Sequence, residues 1–582
     1  MNFVQEPRYR NDVDGLRALA VLAIIAFHSG YLPKGFLGVD VFFTISGFFI
    51  TKLIYEQVNN TDFSLIAFYR NRARRIMPLT LFIGLVSLAL GIATMLPDDL
   101  ENLAQSVIAT NFFINNILQA ITTKNYWDVV NEYKPLMHAW YLGVIVKYYV
   151  LYPPLIMLVM KKRPTWLVPI LLIFGGASLT LYLLPYFAAH EKFYLIIFRF
   201  WEFAAGGIAA VALKDKLIKH KYSFLLAFLL ASLMCFDFSF IPSEIILLST
   251  VLLSVCLLVI SNKENKLCKF LLENKLFVAI GKISFGLYLW HQVLLAFARY
   301  GWVQALSIVS LFAVYIATIA LTMFSYFLIE KPFSDINKIH SRAFLLITGC
   351  VFLLTSLSSL YIYVNAGILR DVPELGIYKS EAVRNLHAKY NDRIHDYDKK
   401  FSSINRIKVL VIGNSFARDW ANVLLESKYS KNIELSYISN PYSHKELKDR
   451  VGEADIIFYS TPELHQIQKL EIPETKLWAV GTKNYGTNSG IFYNYKGINY
   501  YQQRTLMEKG YLEKNDIMKK KWGSKYIDYI GKVINENHTV PVFTPSQKFI
   551  SQDCRHFTKA GAQYFAYLFQ EDLDQIIKNV KK

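Results

Sequence analysis

An arginine and a histidine share one apolar run near the start of the chain, DGLRALAVLAIIAFHS over Asp14–Ser29. The run predicts a transmembrane helix, and the eleven residues from Arg17 to His28 span about 16 Å, so the two groups would lie at different depths of a bilayer. An ionisable side chain within a span is a functional candidate by default, and a neutral imidazole can accept a proton near physiological pH. The alternative is that both side chains reach the two membrane interfaces and do no chemistry.

A serine, an aspartate and a histidine near the other end of the chain are of the types that nucleophilic catalysis uses. The segment IKVLVIGNS places Ser415 in a G-N-S turn directly after a buried strand, and SQDCRHFTKAGA places Asp553 and His556 three residues apart. A serine in a strand turn is usually structural when nothing else is known of it. The serine alone therefore does not establish a catalytic site.

Four arginines crowd the segment FYRNRARRIMPL, which follows the second apolar run. They are Arg70, Arg72, Arg74 and Arg75. Guanidinium groups bind phosphate bidentately, so the cluster could hold a phosphate-bearing ligand. The same charges could equally be the basic residues that fix the orientation of the neighbouring spans.

The elements that would position these groups are mostly membrane helices. Of the 582 residues, 53% are hydrophobic and 15% aromatic, which is typical of a membrane protein with interfacial aromatic belts. About a dozen apolar runs recur between residues 14 and 364, and the basic residues before the first run and after the second place both segments in the cytoplasm. An external C-terminal domain then requires an odd number of spans, so we predict eleven.

Charge and cysteine content restrict the partners. The formal charge of +18 favours contact with the anionic cytoplasmic leaflet and with phosphate-bearing ligands, and we expect no nucleic acid, because many basic residues lie in short loops between spans. The five cysteines form no CxxC pair, so we expect neither a disulfide framework nor a metal site.

Beyond residue 364 the chain becomes polar, and from Ile407 apolar strands alternate with helical segments. IKVLVIGNS, ADIIFYS, LWAVGT and TVPVFTP are predicted strands, and GSKYIDYIGKVINEN is a predicted helix. This alternation is typical of an α/β domain with a mostly parallel sheet. We therefore divide the chain into a membrane domain (1–335), an additional span with a linking region (336–406) and a soluble α/β domain of three layers (407–582).

Residues 9–333 resemble the membrane acyltransferase-3 family, which O-acylates sugars of bacterial surface polysaccharides and related molecules. The segments that carry the resemblance are YRNDVDGLRALAVLAIIAFHSG, GFLGVDVFFTISGFFIT, FYRNRARRIMPL, PLMHAWYLGV, FRFWEFAAGG, GKISFGLYLWHQ and SYFLIEKPF. The resemblance implies that His28 is a catalytic base, that Arg17 orients the donor or neutralises developing charge, and that the four-arginine loop binds acyl-CoA, with acetyl-CoA as the expected donor. Asn71 stands where the family often has another arginine.

Other groups in the same motifs have less certain roles. Asp40 could orient a catalytic group or lie in an interfacial loop. Arg199 and Glu202 are one helical turn apart and could simply pair with each other. His138 and Glu330 also fall in family motifs, and His291 belongs to an aromatic–histidine motif or is structural. Ile145 and Val146 replace an acidic pair that is common in the family, so no role of those carboxylates is carried over to this chain.

The C-terminal domain resembles the SGNH hydrolase-like family, in which a serine after the first strand works with a D-x-x-H motif. The resemblance implies that His556 deprotonates Ser415 while Asp553 orients the imidazole. Backbone N–H groups near Gly413 would form part of an oxyanion hole. The family's usual neighbours of the serine are replaced by Asn414 and Phe416. For the family's asparagine, GTKNYGTN offers two candidates, Asn484 and Asn488, with nothing in the sequence to choose between them.

Together the two resemblances imply a multi-pass O-acetyltransferase of the bacterial inner membrane with a periplasmic SGNH-like domain. Its partners would be acyl-CoA, membrane lipids and a lipid-linked or lipid-anchored glycan such as lipopolysaccharide, and Ser415 would carry the acyl group as an ester before transfer. The alternatives are a polysaccharide flippase or transporter, a membrane-anchored esterase and a catalytically degenerate binding protein. A flippase needs no strand-turn serine, and an anchored esterase needs only one span.

Overall fold

The computed structural model describes residues 10–580 except 60–62, 123–128, 213–222, 261–265, 302–305, 380–385, 461–463, 487, 509 and 552. The chain forms two compact units. The first unit comprises Met1–Ala93, Glu101–Arg299 and Gln304–Tyr363. The second unit comprises Thr94–Leu100, Tyr300–Val303 and Val364–Lys582.

The first unit is helical throughout its regular structure, and some of its helices extend by a few residues into the second. Its α-helices are α1 (Asn11–His28), α2 (Gly38–Asn59), α3 (Leu65–Thr94), α4 (Pro97–Asn111), α5 (Asn115–Thr122), α6 (Trp140–Lys162), α7 (Leu167–Leu183), α8 (Ala189–Tyr194), α9 (Ile196–Ala212), α10 (Ser223–Cys235), α11 (Ser243–Val259), α12 (Lys266–Leu272), α13 (Lys275–Lys282), α14 (Ser284–Gly301), α15 (Ile308–Ser325), α16 (Lys331–Ser334) and α17 (Ser341–Val364).

Six helical segments among the described residues are long and apolar enough to cross a membrane. They are Gly35–Val58, Leu65–Thr94, Met137–Lys162, Pro164–Leu183, Ile308–Ser334 and Ser341–Val364. A seventh results if α13 and α14, which meet at a bend of 70°, form one broken span. The multi-span helical bundle is thus confirmed, but eleven spans are not. The short lengths of α10 and α11 and three charges in α1 (Asp12, Asp14 and Arg17) account for part of the difference.

Polar residues interrupt the apolar run at 103–121. The helix α4 ends at Asn111 and α5 begins at Asn115. Between them Phe113 has a φ of 55°, in the left-handed region that interrupts a helix. The polar segment NFFINN therefore ends one helix and starts another.

Close helix packing in the first unit depends on glycine. A Cβ on Gly47 of α2 would collide with the backbone of Phe203 in α9, and a Cβ on Gly206 of α9 would collide with the backbone of Thr44 in α2. These reciprocal contacts let the two helices approach at backbone distance, as small residues do in membrane bundles. The resulting interface holds α2 against α9. Asp40 lies in the first turn of α2, and α9 carries Arg199 and Glu202.

The second unit is built on a parallel five-stranded sheet. Its elements in chain order are α18 (Leu386–Asp392), β1 (Ile407–Ile412), α19 (Ser415–Glu426), β2 (Ile433–Ile438), α20 (Leu447–Glu453), β3 (Ile456–Ser460), α21 (Leu464–Lys469), β4 (Leu477–Val480), α22 (Ser489–Asn494), β5 (Arg504–Leu506), α23 (Tyr511–Trp522), β6 (Tyr526–Ile527), β7 (Thr539–Pro541), α24 (Lys559–Leu568) and α25 (Gln570–Val580). The strand order is β2-β1-β3-β4-β6, and β5 and β7 form a separate antiparallel pair.

Alternate residues of the inner strand β1 pack in different apolar clusters. Val409 and Val411 pack in one cluster with Trp420 of α19, whereas Leu410 and Ile412 pack in another with Leu447 of α20. Both faces of the sheet are therefore covered, which explains why the strand reads as a continuous apolar run. This arrangement confirms the α/β region with a parallel sheet.

The predicted helix at GSKYIDYIGKVINEN is wrong. Tyr526 and Ile527 instead form β6, which pairs in register with Ala479 and Val480 of β4. The residues that follow turn away, and Asp528 accepts a hydrogen bond from the backbone N–H of Gly531 at 2.8 Å. Pairing with an open sheet edge outweighs the helical periodicity of the segment. The predicted strand at TVPVFTP exists as β7, but it pairs with β5 and not with the main sheet.

Candidate active sites

The second unit brings Ser415, His556 and Asp553 into one hydrogen-bonded chain. The Ser415 Oγ lies 2.8 Å from His556 Nε2, and His556 Nδ1 makes a short hydrogen bond to Asp553 Oδ2. All three residues are only half-buried, so a substrate can approach the hydroxyl. Nucleophile, base and orienting carboxylate thus stand in the relation that acyl transfer through a serine ester requires.

The turn before α19 determines where the hydroxyl points. Gly413 has a φ of 121°, which only glycine adopts without strain, and a Cβ there would collide with the Ser460 hydroxyl. Asn414 then caps α19 by accepting the Phe416 N–H at 3.0 Å, and it also accepts from Ser460 Oγ at 3.1 Å. Ser415 is therefore the first residue of a helix at the carboxyl end of β1, which is the usual place for a site in a parallel sheet.

The turn that carries the acid and the base is itself tightly bonded. Asp553 Oδ1 accepts backbone N–H groups from His556 at 2.7 Å and Arg555 at 3.0 Å. Desolvation would raise the pKa of Asp553, but the bonds and charge of His556 and these two amides lower it below its ordinary value. The carboxylate therefore stays ionised and can stabilise an imidazolium on His556.

The two candidate asparagines are held by other groups. The Asn484 amide lies 3.4 Å from Glu508 Oε2, and its oxygen accepts the N–H groups of Gly486 and Glu508. The Asn488 amide donates to Asp99 Oδ2 at 2.8 Å, and its oxygen accepts from Gly490. Among the described residues, neither asparagine hydrogen-bonds to Ser415, His556 or Asp553, so the asparagine of the oxyanion hole stays a prediction.

Asp99 gives the second unit a pH-dependent stability. Burial raises the pKa of Asp99 to about 6, opposed by hydrogen bonds from Tyr300 and Asn488 and reinforced by Asp98 and Asp553. The native state therefore binds a proton more tightly than the unfolded chain. The stability that this protonation contributes is lost as the pH rises from about 4 to about 6.

Replacing Asp99 with Asn removes this titration and keeps an oxygen that can accept from Asn488. We expect the variant to gain about 1–2 kcal/mol over the wild-type protein at pH 8, and little or nothing at pH 4. Thermal unfolding of the two proteins in detergent at both pH values measures the difference. An equal shift at both pH values would contradict the assignment of the proton to Asp99.

In the first unit, three of the predicted cationic residues line one cavity of about 240 Å³. They are Arg17, Arg72 and Arg75, and they share the cavity wall with the polar side chains of Ser46, Tyr141, Tyr149, Ser284 and Tyr288. The Arg17 guanidinium donates to Asp14 at 2.9 Å and lies 5.7 Å from the centre of the Phe49 ring. The Arg72 guanidinium lies 5.5 Å from the Tyr149 ring. The cavity can accept an anionic group beside aromatic surfaces.

The other two arginines of the loop lie elsewhere. Arg74 is 2% exposed, donates to the carbonyl of Phe333 at 2.9 Å and covers the Phe344 ring, so its contacts are structural. Arg70 is exposed to solvent and does not line the cavity. The four arginines thus lie on α3 and not in the predicted loop, and they divide into two cavity residues, one structural residue and one surface residue.

His28 belongs to a group of three imidazoles. Its ring centre lies 5.2 Å from that of His291, which lies 5.4 Å from that of His138. Tyr288, a wall residue of the arginine cavity, donates its hydroxyl to the carbonyl of His138 at 2.7 Å. Tyr288 therefore lies between the cavity that Arg17 lines and the histidine group, in which His138 and His291 lead to His28.

The remaining carboxylates of the motifs are mostly paired. Arg199 binds Asp40 at 2.8 Å and Glu202 at 3.0 Å, and all three side chains are buried. Arg199 and Glu202 therefore pair as their spacing allows, but Asp40 joins them and lies in the first turn of α2, not in an interfacial loop. Lys147, next to the missing acidic pair, donates to Asn116 and to two backbone carbonyls. Among the described residues, no cluster of histidine, cysteine and carboxylate side chains could hold a metal ion.

A comparison with protein families decides what the first unit is. The family model described as an acyltransferase domain matches residues 10–330, more than half of the chain. The chain belongs to the acyltransferase-3 family. The match covers Arg17, His28 and the four arginines, but it ends before the part of the second unit, from Val364 onward, that carries Ser415.

Curated relatives agree with this family. A protein of Staphylococcus aureus strain MSSA476 named "Putative O-acetyltransferase" is 29% identical over 355 residues. O-acetyltransferase OatA of S. aureus strain NCTC 8325 is 27% identical over 348 residues. Each alignment covers 56% of this chain and 57% of the relative, so the chain spans little more than half the length of the relatives that it matches. No solved structure matches the chain significantly.

Several residues at the two sites were not found from the sequence. Tyr141 and Tyr149 in the arginine cavity lie on a helix dense in aromatic residues, so nothing local distinguishes them, whereas Tyr288 lies in the aromatic–histidine motif GLYLWHQ. Asp419 and Lys483 form a completely buried ion pair behind the triad. Asp419 offered a signal, since a carboxylate one helical turn after Ser415 and next to the buried Trp420 needs a buried partner.

Proposed function

We propose that the protein is a membrane O-acetyltransferase that moves an acetyl group from cytoplasmic acetyl-CoA to a hydroxyl of a bacterial surface glycan. The observation that carries the proposal is the hydrogen-bonded set Ser415, His556 and Asp553 in a chain whose other unit belongs to an acyltransferase family. O-acetyltransferase is also the name of the curated relatives. A flippase would have no use for such a set, and an anchored esterase would not need the family's helical unit.

The first unit takes the donor in this proposal. The cavity residues Arg17, Arg72 and Arg75 bind the phosphates of acetyl-CoA, because guanidinium–phosphate pairs are strong and directional. The group His28, His291 and His138 lies beyond Tyr288, where the neutral imidazole of His28 takes the proton of a carrier hydroxyl as the hydroxyl oxygen attacks the thioester carbonyl. The carrier ester forms, the carbon–sulfur bond breaks, and the thiol of CoA leaves with the proton.

The second unit transfers the group through an SGNH-like mechanism. The Ser415 oxygen attacks the acyl carbonyl while its proton passes to His556 Nε2; the Oγ–acyl bond forms, the bond to the carrier breaks, and the carrier leaves with the proton. The acceptor hydroxyl then gives its proton to His556 and attacks the ester, and Ser415 recovers a proton. Asp553 keeps the imidazole oriented in both steps.

The acceptor is a lipid-linked or lipid-anchored glycan such as lipopolysaccharide. An apolar cavity of about 840 Å³, lined by Leu22, Ile319 and Phe327 among others, is suited to an apolar chain of such an anchor. The protein lies in the inner membrane with its second unit in the periplasm. Eleven spans fit this placement if α1, α9, α10, α11 and the α13–α14 pair cross together with the six long segments.

Mass spectrometry of surface glycan from a deletion strain tests the proposal. We expect the glycan to persist without its ester-linked acetyl groups, and we expect the wild-type gene to restore them. Loss of the whole glycan would favour a flippase. An unchanged acetyl content would favour a degenerate binding protein, for which the missing acidic pair at Ile145 and Val146 is the best support.

Replacing cavity arginines tests the donor site. We expect Arg72→Gln and Arg75→Gln to raise the KM for acetyl-CoA about tenfold each, since a charged hydrogen bond contributes roughly 1.5–3 kcal/mol, with a smaller effect on kcat. Transfer of radiolabelled acetyl in proteoliposomes gives both constants. Arg70→Gln is the matched control and should change neither constant, whereas an equal effect of all three variants would indicate a nonspecific charge effect.

A further inference from the structure

A buried ion pair lies directly behind the catalytic set of the second unit. Lys483 Nζ and Asp419 Oδ2 are 2.6 Å apart, and both side chains are 0% exposed. Removing two charges from water costs several kcal/mol per ion, so a buried pair contributes little net stability compared with apolar residues of similar volume. The proposed catalytic steps do not use either residue, and their presence needs another explanation.

Asp419 connects the nucleophile to the base. It lies on α19, one turn after Ser415, and its Oδ2 accepts the backbone N–H of Phe557 at 3.1 Å. Phe557 directly follows His556. One carboxylate oxygen thus joins the helix that carries the nucleophile to the turn that carries the base, and the buried amide has an acceptor that it would otherwise lack.

Lys483 closes the same arrangement from a third element. Its ammonium lies 4.1 Å from the ring centre of Phe416 and 4.9 Å from that of Phe557, the residues that follow Ser415 and His556. The loop that carries it pairs with the catalytic turn, because the Tyr485 N–H donates to the carbonyl of Cys554 at 2.7 Å. The lysine therefore contacts both halves of the catalytic set through aromatic rings.

The charges around the lysine are few and specific. Burial lowers the pKa of Lys483 below its ordinary value and Arg418 acts in the same direction, whereas Asp419 and Asp553 raise it. Removing Lys483 would leave Asp419 as an uncompensated negative charge beside the backbone of the base. Removing Asp419 would leave an ammonium there instead. The two changes should therefore act on the imidazole in opposite directions.

We propose that Asp419 and Lys483 are positioning residues that hold Ser415 and His556 at hydrogen-bonding distance and balance the charge behind the imidazole. This role rests on the proposed acyl-serine function. It differs from a stabilising role because it predicts a change in the pH dependence of catalysis and not only in the amount of folded protein.

Reaction of Ser415 with a fluorophosphonate probe tests the role in the full-length protein in detergent, with hydrolysis of 4-nitrophenyl acetate as a second measurement. We expect Lys483→Met to slow labelling at least about tenfold, since small misplacements of reacting groups have effects of this size, and to lower kcat more than it raises KM. The acidic limb of its pH–rate profile should move up by about half a unit or more, because an unpaired carboxylate favours the imidazolium.

Two further variants separate position from charge. Asp419→Asn keeps an oxygen for the Phe557 N–H, so we expect a smaller loss of rate and an acidic limb that moves to lower pH. The double variant Asp419→Asn/Lys483→Met removes both charges, and its limb should return to the wild-type position while labelling stays slow. Lys428→Met, which breaks the surface pair with Asp574, is the matched control and should behave as wild type.

The outcomes distinguish this inference from the proposed function. If wild-type Ser415 is not labelled, the acyl-serine function fails and the positioning role fails with it. If the wild type is labelled but Lys483→Met reacts at the same rate with the same pH profile, only the positioning role is wrong. Loss of folded protein in all three variants, measured by circular dichroism, would make the pair a stabilising element and would also overturn the inference.

Discussion

Ser415→Ala is expected to abolish acetylation of the glycan while leaving the protein folded and inserted. The Ser415 hydroxyl hydrogen-bonds to His556 Nε2 at 2.8 Å. Because the side chain is half-exposed at the start of α19, its loss removes little packing. Its loss removes the atom on which the acyl ester forms, and deletion of such a nucleophile lowers kcat by about 10⁴-fold or more. Ester-linked acetyl on surface glycan, measured by mass spectrometry in a complemented deletion strain, gives the result.

Ser443→Ala is the control for this substitution, because Ser443 is exposed and lies outside the catalytic set. It should restore acetylation to the wild-type level. Acetylation retained in Ser415→Ala would remove the acyl-serine step. The second unit would then bind or position the acceptor, and the transfer itself would occur in the family unit.

The hydrogen-bonded set Ser415, His556 and Asp553 could be predicted because each part has a local sequence signal. The buried strand before Ser415 and the three-residue spacing of Asp553 and His556 both lie within short segments, and a parallel sheet brings such segments to one edge. Lys483 could not be found in this way, because its role depends on three segments that meet only in the folded chain. The helix predicted at Gly523–Asn537 failed for the same reason, since an open edge of β4 captures Tyr526 and Ile527.

The helical membrane character of the first unit could be predicted from the sequence, but the number of its spans could not. Apolar runs identify α3, α6 and α17 without ambiguity, since each exceeds the length that a bilayer requires. They also predict spans at α1, α10 and α11, but α1 carries three charged residues and α10 and α11 are short, so these helices are not long and apolar enough to count as spans by themselves.

His28→Ala is expected to abolish acetylation without changing membrane insertion. The His28 ring lies 5.2 Å from His291, while the backbone of His28 is held separately by Arg299, which donates to its carbonyl at 2.7 Å. The substitution therefore removes the imidazole and leaves the end of α1 in place. Loss of a general base lowers a rate by about 10²–10⁴-fold, which is enough to remove acetyl groups from the glycan below detection.

A labelling assay shows whether His28→Ala impairs the first unit or the second. Labelling of Ser415 by a fluorophosphonate should stay at the wild-type rate in His28→Ala, because the catalytic set of the second unit is intact and only delivery of the acyl group has stopped. Resistance of the protein to alkaline carbonate extraction measures insertion, and His340→Ala, at an exposed position, should match the wild type in every assay. Retained acetylation in His28→Ala would instead make His28 an interfacial residue. The base of the first unit would then have to be His291, whose ring lies next to that of His28, or His138, whose ring lies next to that of His291.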